Sequence, residues 1–349
     1  MKIAITTVQA PFVSGGAELH AQNLKKALMN YGHESEIVTI PFMDTPINLI
    51  EDCIVASRLF DLSNSWAGKI DLCIGLKFPA YYIPHPNKVI WALHQHRAAY
   101  DLFNTEYSNL KNTPDGIKIR QIIKNADENY LLQARKIYAN SNNVAKRMLK
   151  FNNINATPLY HPCPDMEKFY CNKYEDYILM PSRINITKRQ HLAIEAMRYT
   201  KSKTKLYIVG KADNDYERLR MIDLIKKYGL EDKIKYFDYV EQEEKFKLYA
   251  NAKAVLFIPL DEDYGYITLE SMASSKAIIT AKDSGGPLEF VDNDINGYVI
   301  EPQAQDLARK IDVLSLNNEL SEKMGSMSLK KLNKMNITWE SVVRELTKN

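Results

Sequence analysis

Residues 254–272 read AVLFIPLDEDYGYITLESM, and three structural signals follow one another along them. The apolar run at 254–258 predicts a buried parallel strand, and the proline, acids and glycine at 259–265 predict a loop after it. From Thr268 the residues favour a helix, whose N-terminus offers N–H groups and a partial positive charge to a phosphate. Two carboxylates, Glu262 and Glu270, flank this position. Acids beside a phosphate site suit the hydroxyl groups of a sugar or a ribose.

The size and composition of the chain bound its class. Its 349 residues exceed what one hydrophobic core usually serves, which predicts two domains. A hydrophobic fraction of 45% is ordinary for a soluble globular protein, and a net charge of +3 argues against a nucleic-acid partner. The four cysteines form no C-x-x-C pair, which favours a reducing compartment. Since no signal peptide or membrane-length apolar run is visible, we expect a cytoplasmic protein, with peripheral membrane contact left open.

Apolar runs alternate with amphipathic helical stretches in both halves of the chain. This alternation predicts an α/β fold of two doubly wound domains with parallel sheets. The proline-containing stretch that begins near residue 160 predicts the interdomain linker. We therefore assign residues 1–165 to an N-terminal domain and 166–337 to a C-terminal domain, with a final helix at 338–349.

The spacing of the two glutamates resembles a known family motif. Glu262 and Glu270 form E-x7-E around an aromatic–glycine pair, followed by Ser-Met-Ala, which is similar to the donor motif of the family 4 retaining glycosyltransferases. The resemblance spans the chain from its first strand to Trp339 and implies the GT-B arrangement, two Rossmann-like domains facing a cleft. It implies that Glu270 holds the nucleotide ribose and that Glu262 contacts the transferred sugar. It further assigns these donor-binding residues: Gly265, Tyr266, Ile267, Thr268, Gly210 and Val240.

Two basic residues five apart complete the predicted donor site. Arg183 and Lys188 follow a predicted strand. The planar guanidinium of an arginine and the compact ammonium of a lysine together suit a diphosphate leaving group. As isolated basic loop residues they would be solvated surface. The pair resembles the Arg-x4-Lys of the same family, which implies that both bind the diphosphate and take part in catalysis. Asp238–Tyr239 departs from the family, which often has glycine there, and this bears on the nucleotide base.

The N-terminal half carries a second set of candidates. Gly15 and Gly16 follow the first strand and resemble the Gly-Gly-x-Glu entry of the family, whose backbone faces the donor phosphates; a simple tight turn explains them equally well. His94 follows another buried strand and resembles the histidine that lies beside the transferred sugar, which makes it a catalytic candidate. The acceptor-side candidates follow it closely in sequence: His96, Arg97 and Tyr100.

Two D-x-D sequences offer a rival interpretation. They lie at 261–263 and 213–215, and in another glycosyltransferase architecture such a motif holds a divalent metal on the diphosphate. In this chain Arg183 and Lys188 would take the role of the metal. We therefore expect no metal and no cofactor.

The resemblance implies transfer of a hexose from a nucleoside-diphosphate sugar, with retention at the anomeric carbon. The expected acceptor is a glycan or a lipid-linked glycan in cell-surface polysaccharide synthesis. The segment GGPLE at 285–289 resembles mannosyltransferase members of the family. This resemblance weakly favours GDP-mannose over UDP-sugars as the donor. Two alternatives remain at this stage: a nucleotide-sugar epimerase of the same architecture, and a non-catalytic sugar-binding protein.

Overall fold

The computed structural model describes residues 1–12 and 15–348, and the chain divides into two compact units. The N-terminal domain comprises residues 1–164 together with 338–349, and the C-terminal domain comprises residues 165–337. The division differs by one residue from the predicted junction at 165/166.

Strands and helices alternate through both domains. Up to residue 164 the strands are β1 (Lys2–Gln9), β2 (Glu34–Pro41), β3 (Asn64–Ser65), β4 (Gly68–Lys69), β5 (Leu72–Gly75), β6 (Lys88–Ala92), β7 (Lys136–Ala139) and β8 (Thr157–Pro158), and the helices are α1 (Gly16–Asn30), α2 (Leu49–Leu59), α3 (Pro114–Tyr130) and α4 (Asn142–Asn152). From residue 165 the strands are β9 (Tyr177–Pro181), β10 (Lys205–Val209), β11 (Ile234–Phe237), β12 (Ala254–Leu256), β13 (Ala277–Ala281) and β14 (Gly297–Ile300). The remaining helices are α5 (Gln190–Met197), α6 (Asp215–Lys227), α7 (Gln242–Asn251), α8 (Tyr266–Ala273), α9 (Ala304–Leu316), α10 (Asn318–Met335) and α11 (Trp339–Thr347).

The N-terminal domain is built on a parallel sheet with the strand order β2-β1-β5-β6-β7-β8. Helix α1 packs on it through apolar residues spaced three and four apart, including Leu24 and Leu28. Helix α11 joins the same core through Val342 and Leu346, and the Tyr138 hydroxyl donates to the Glu345 carbonyl at 2.9 Å. The last helix of the chain therefore completes the first domain.

The C-terminal domain is built on a second parallel sheet, ordered β11-β10-β9-β12-β13-β14. The short strand β12 is fully buried and lies between β9 and β13. Apolar faces of helices α5, α6 and α9 cover the sheet and form one core with it. The near-continuous apolar character of these strands follows from their burial on both faces.

In each sheet the chain builds outward on one side of its first strand and then crosses to the other side. The crossing point lies between β1 and β5 in the first domain and between β9 and β12 in the second. Ligands of open α/β sheets bind beyond the carboxyl ends of the strands at such points. The predicted α/β fold of two doubly wound domains with parallel sheets is confirmed.

Helix α3 begins at Pro114, because the Thr113 hydroxyl accepts a hydrogen bond from the Gly116 backbone at 3.2 Å and a proline suits the first helical position. The strand predicted over 254–258 ends earlier than expected, at Leu256. Within residues 1–12 and 15–348, no helix has both the length and the apolar character needed to cross a membrane.

Candidate active site

Three loops of the C-terminal domain meet beyond the carboxyl ends of β9, β12 and β13. The backbone N–H of Leu260 donates to the Thr187 carbonyl at 2.8 Å, and that of Glu262 donates to the Ser284 carbonyl at 2.9 Å. The Gly286 N–H donates in turn to the Glu262 carbonyl at 2.8 Å. The segment that carries Glu262 is therefore fixed from both sides by backbone hydrogen bonds, at the crossing point of the sheet.

Lys188 and Glu262 form an ion pair at this position. The Lys188 Nζ donates to the Glu262 Oε2, and the same ammonium lies 5.5 Å from the centre of the Phe257 ring. Both side chains are largely covered, with exposed fractions of 14% and 26%. A short 3-10 turn, Ile186–Lys188, places the lysine, and the Asn185 Oδ1 caps that turn by accepting from the Lys188 N–H at 3.0 Å.

Arg183 lies in the same loop but in a more exposed position. Its Nη1 donates to the Asp213 Oδ1 at 3.0 Å, and the Asn185 Nδ2 donates to the other oxygen of that carboxylate at 2.9 Å. The Arg183 side chain is 66% exposed. The predicted diphosphate pair is thus brought to one edge of the sheet, where each basic residue contacts its own carboxylate.

A glycine starts the helix that follows. Gly265 has φ of +87° and immediately precedes α8, and a Cβ there would lie 2.8 Å from the Phe257 ring. Any other residue would suffer both backbone strain and a steric clash. The first N–H groups of α8, at Tyr266 and Ile267, lie beyond the reach of intrahelical acceptors, and Thr268 is fully buried at the end of this turn. The N-terminus of α8 therefore lies directly after the loop that carries Glu262, and its contact with a phosphate stays a prediction.

Glu270 lies one turn further along α8 and is 5% exposed. Its Oε1 accepts from the Lys245 Nζ at 2.6 Å, and its Oε2 accepts from the Tyr249 hydroxyl at 2.6 Å. Both partners come from one face of α7, four residues apart. Burial of a carboxylate is costly unless it is paired, and these two contacts supply the pairing.

The remaining predicted donor residues lie beyond β10 and β11. Gly210 follows β10 with φ of +145°, and a Cβ there would lie 2.3 Å from the Ser182 carbonyl oxygen. The backbones of two loops at this edge therefore approach closely because residue 210 is glycine. Val240 lies between β11 and α7, next to Tyr239, whose ring is 73% exposed. Contact of these residues with a nucleotide base stays a prediction.

In the N-terminal domain, Gly15 and Gly16 lie at the start of α1. Gly15 is the residue before the helix, Gly16 is its first residue, and the Gly15 N–H donates to the Glu18 carboxylate at 2.8 Å. Gly15 has an extended backbone with φ of −154°, so its position does not require glycine through backbone strain. These glycines lie at the same sheet edge as His94, which follows β6.

The two histidines beyond β6 differ in their surroundings. The His94 Nδ1 lies 2.6 Å from the Gln95 carbonyl oxygen, and its ring is partly exposed. His96 is 7% exposed and packs on the Phe78 ring at a centroid distance of 4.7 Å. Burial, with smaller contributions from His94 and Lys77, lowers the pKa of His96 to about 3, so its ring is neutral at physiological pH.

Arg97 and Tyr100 make contacts within their own domain. Arg97 donates to the Asp101 Oδ2 from Nε at 2.9 Å and from Nη2 at 2.6 Å. The Tyr100 hydroxyl is buried, donates to the Asp127 carboxylate at 2.6 Å and accepts from the Asn152 Nδ2 at 2.8 Å. Burial and Asp127 raise the pKa of Tyr100 above its ordinary value. The structure therefore gives Tyr100 a structural role, and its contact with an acceptor stays a prediction.

Comparison with known proteins identifies the family of the second domain. Residues 165–331, nearly the whole of the C-terminal domain, match the family model "Glycosyl transferases group 1". This match covers slightly less than half of the chain and assigns the C-terminal domain to glycosyl transferases group 1. The predicted resemblance to the glycosyltransferases is thereby confirmed.

Sequence and structure relatives agree with this assignment. The chain is 29% identical over 140 residues to the alpha-1,3/1,6-mannosyltransferase ALG2 of Dictyostelium discoideum, covering 38% of this chain and 33% of that protein. It spans a third or less of the length of the curated relatives that it matches. Among solved structures, the sucrose-phosphate synthase of Thermosynechococcus elongatus superposes with a TM-score of 0.79 at 17% identity, covering 99% of this chain and 97% of the other. Anabaena HepE in complex with UDP and glucose superposes with a TM-score of 0.73 at 16% identity, covering 100% of this chain and 98% of the other.

Four polar contacts of the C-terminal domain escaped the sequence-based prediction. Lys245 and Tyr249 hold Glu270, Asp213 holds Arg183, and Arg189 donates to both oxygens of Asp283 at 2.7 and 2.6 Å. One signal was available for the first two. Lys245 and Tyr249 are four residues apart, which places both side chains on the same face of α7.

The D-x-D alternative finds no ligand set in the described part of the chain. Over residues 1–12 and 15–348, no three His, Cys, Asp or Glu side chains lie close enough together to hold a metal ion. Asp213, the first residue of one D-x-D sequence, is held by Arg183 and Asn185. Independence of metal stays a prediction.

Proposed function

We propose that the chain transfers a hexose from a nucleoside-diphosphate sugar to a glycan or lipid-linked glycan acceptor, with retention at the anomeric carbon. The observation that carries the proposal is the Lys188–Glu262 ion pair, which lies at the crossing point of the C-terminal sheet beside the N-terminus of α8. A basic group for phosphate and an acid for sugar hydroxyls stand in contact there, as a phosphorylated sugar requires.

The charges at this edge suit the departure of a diphosphate. As the bond to the sugar breaks, negative charge develops on the phosphate and positive charge on the sugar. Lys188, Arg183 and the N–H groups at the start of α8 stabilise the negative charge on the phosphate, because preorganised donors are most effective where charge develops. Glu262 binds hydroxyls of the sugar, and a phosphate oxygen of the donor accepts the proton of the acceptor hydroxyl.

The nucleoside is assigned to the adjoining Glu270. Its two oxygens each already accept one hydrogen bond, from Lys245 and Tyr249, and a carboxylate oxygen can accept a second. The ribose hydroxyls would donate to these remaining positions. Lys245 and Tyr249 therefore orient the carboxylate before the nucleotide binds.

Mannose is the proposed sugar and GDP the proposed nucleotide. The segment 285–289 lies at the site, because the Gly286 N–H donates to the Glu262 carbonyl and Pro287 adjoins Gly265. The partial match to a protein named as a mannosyltransferase supports this choice. The likeness to HepE, solved with UDP and glucose, makes UDP-glucose the competing donor. The proposed setting is polysaccharide synthesis at the cytoplasmic membrane face, without a metal or cofactor.

A panel of ligands tests the proposal directly. The thermal stability of the full chain would be measured with GDP, UDP, ADP and their sugar conjugates, with and without EDTA. A ligand at 100 times its dissociation constant adds about 2.7 kcal/mol to the free energy of unfolding, and we expect GDP and GDP-mannose to do so in EDTA. Failure of every nucleotide to stabilise the chain would refute the donor site. Stabilisation that needs manganese or magnesium would instead restore the D-x-D interpretation.

A further inference from the structure

A cysteine and a lysine lie in contact at the edge of the C-terminal sheet opposite the donor site. Lys276 immediately precedes β13, and its Nζ lies 3.4 Å from the Cys171 Sγ. The Lys276 side chain is fully buried, whereas Cys171 is exposed. The same ammonium donates to the Lys173 carbonyl at 2.6 Å and lies 3.8 Å from the centre of the Tyr174 ring. The lysine is therefore fixed with its nitrogen towards an accessible sulfur.

This thiol differs from the other cysteines of the chain. Burial raises the pKa of Cys73 to about 11, and Cys163 is buried as well. Burial, with a smaller contribution from Asp52, raises the pKa of Cys53. Cys171 alone combines exposure with a contact to a lysine nitrogen.

The surroundings of the pair are open to solvent. Cys171 is exposed, so a small molecule such as a peroxide can reach it from solvent. An open cavity of about 550 Å³ is lined by residues close to the pair in sequence, among them Lys173, Tyr174 and Ser275. The Tyr174 hydroxyl donates to the Ser275 carbonyl at 2.8 Å, which holds the segment before β9 against the start of β13.

We propose that Cys171 and Lys276 form a peroxide-responsive cross-linking site, in which the oxidised sulfur is captured by the lysine nitrogen. Hydrogen peroxide transfers one oxygen to the thiol, which gives a sulfenic acid and one water; the sulfur loses two electrons and the peroxide gains them. The nitrogen lone pair then attacks the sulfur, the S–N bond forms and the S–O bond breaks. The hydroxyl leaves as a second water with a proton from the amine.

The burial of Lys276 favours the second step. Burial lowers the pKa of Lys276, which favours its neutral amine, and the contact with Cys171 acts in the opposite direction. The neutral amine is the nucleophile of the second step. At 3.4 Å the two atoms are already at a distance from which a bond can form.

Peptide mapping of the full wild-type chain tests the proposal. After treatment with hydrogen peroxide, a tryptic peptide containing Cys171 should be joined to one containing residue 276, with a mass two hydrogens below the sum of the separate peptides. Cleavage after Lys276 should be lost, and dithiothreitol should restore both peptides. If Cys171 proceeds to sulfinic or sulfonic acid while Lys276 remains cleavable, the proposal is wrong.

Variants separate the two partners. Cys171→Ser and Lys276→Met should each abolish the joined peptide, and in the latter Cys171 should oxidise further. Cys53→Ser, which changes a cysteine away from the pair, should leave the joined peptide unchanged. Persistence of the joined peptide in Lys276→Met would contradict the capture by lysine. Because the wild-type map decides the question alone, a folding defect in Lys276→Met leaves the test intact.

Discussion

The two sheet edges that carry the predicted site residues use their polar groups differently. In the C-terminal domain, Lys188, Arg183 and Glu270 each contact an oppositely charged side chain from another segment. In the N-terminal domain, His96 packs on an aromatic ring and Tyr100 bonds a buried carboxylate. The first edge therefore holds charges that a phosphorylated ligand could engage, whereas much of the second is committed to the fold. Substitutions at the two edges should accordingly separate activity from stability.

The largest effect is expected at the charged edge. Lys188→Ala removes the partner of Glu262 and one ligand of the diphosphate, so transfer should fall about 100-fold or more while the chain stays folded. Steady-state transfer assays with GDP-mannose and UDP-glucose would measure the loss. Lys118→Ala is the matched control, since Lys118 is exposed and its ion pair with Glu51 lies in the N-terminal domain. Equal activity of Lys188→Ala and the control would place the diphosphate elsewhere.

At the other edge, the hydroxyl of Tyr100 should affect stability rather than transfer. Tyr100→Phe leaves Asp127 and Asn152 each without one hydrogen bond, so the free energy of unfolding should fall by about 1–3 kcal/mol. The three tryptophans, Trp66, Trp91 and Trp339, all belong to the N-terminal domain, so their fluorescence in urea reports its unfolding. Tyr31→Phe, at an exposed position, is the control. A loss of transfer with unchanged stability would return Tyr100 to the acceptor site.

Acid should act on the stability of the N-terminal domain through its buried titratable groups. Burial lowers the pKa of His161 to about 3 and that of His20 well below 6.5, so both rings are neutral in the folded state. Between pH 6.5 and about 3 the unfolded chain binds more protons at these positions, and stability falls with acidification by up to about 1.4 kcal/mol per pH unit for each group. Asp127 acts oppositely. Burial raises its pKa to about 6, so the folded state gains a proton below that pH, and this contribution to stability is lost as pH rises through 6.

His20→Phe tests this pH dependence. The ring stacks near Trp91 and His161, and its two nitrogens have no hydrogen-bond partner among the described residues, so phenylalanine preserves the packing. Tryptophan-monitored unfolding between pH 7 and pH 5 should give a shallower loss of stability in the variant. Parallel curves for the two proteins would show that His20 does not carry the acid sensitivity.

The smallest expected effect concerns a residue that only orients another. Lys245→Met removes one hydrogen bond to Glu270 and should weaken nucleoside diphosphate binding by about tenfold, or about 1.4 kcal/mol. Calorimetric titration would measure it. Lys247→Met, at an exposed position of the same helix, should bind as the wild type does. If both variants bind with unchanged affinity, Lys245 does not position the ribose ligand.

The sequence was sufficient for features that depend on local pattern. Alternating apolar runs predicted both sheets, and the residues after Gly265 predicted helix α8, which begins at Tyr266 rather than at Thr268. Partners distant in sequence could not be read in the same way. Lys245 and Glu270 are 25 residues apart, Arg183 and Asp213 are 30 apart, and Arg189 and Asp283 are 94 apart. Their contacts depend on how the loops meet at one sheet edge.

The burial of polar side chains could not be predicted from the sequence either. Asp127 lies on helix α3, where an acid usually faces solvent, yet it is fully buried and bonds Tyr82 and Tyr100. The sequence alone therefore places Tyr100 among the acceptor-side candidates. Only the packing of α3 against the segment around residue 100 reveals its role.

The central claim is that Glu270 and Glu262 divide the donor between them, and a set of four titrations tests it most directly. Glu270→Ala and Glu262→Ala would each be titrated with the nucleoside diphosphate and with its sugar conjugate. Glu270→Ala should weaken both ligands alike, by about 1–3 kcal/mol, because every such ligand carries the ribose. Glu262→Ala should leave the affinity for the bare nucleotide nearly unchanged and weaken only the sugar conjugate. Equal weakening of the bare nucleotide by both substitutions, or no effect of either, would contradict the account.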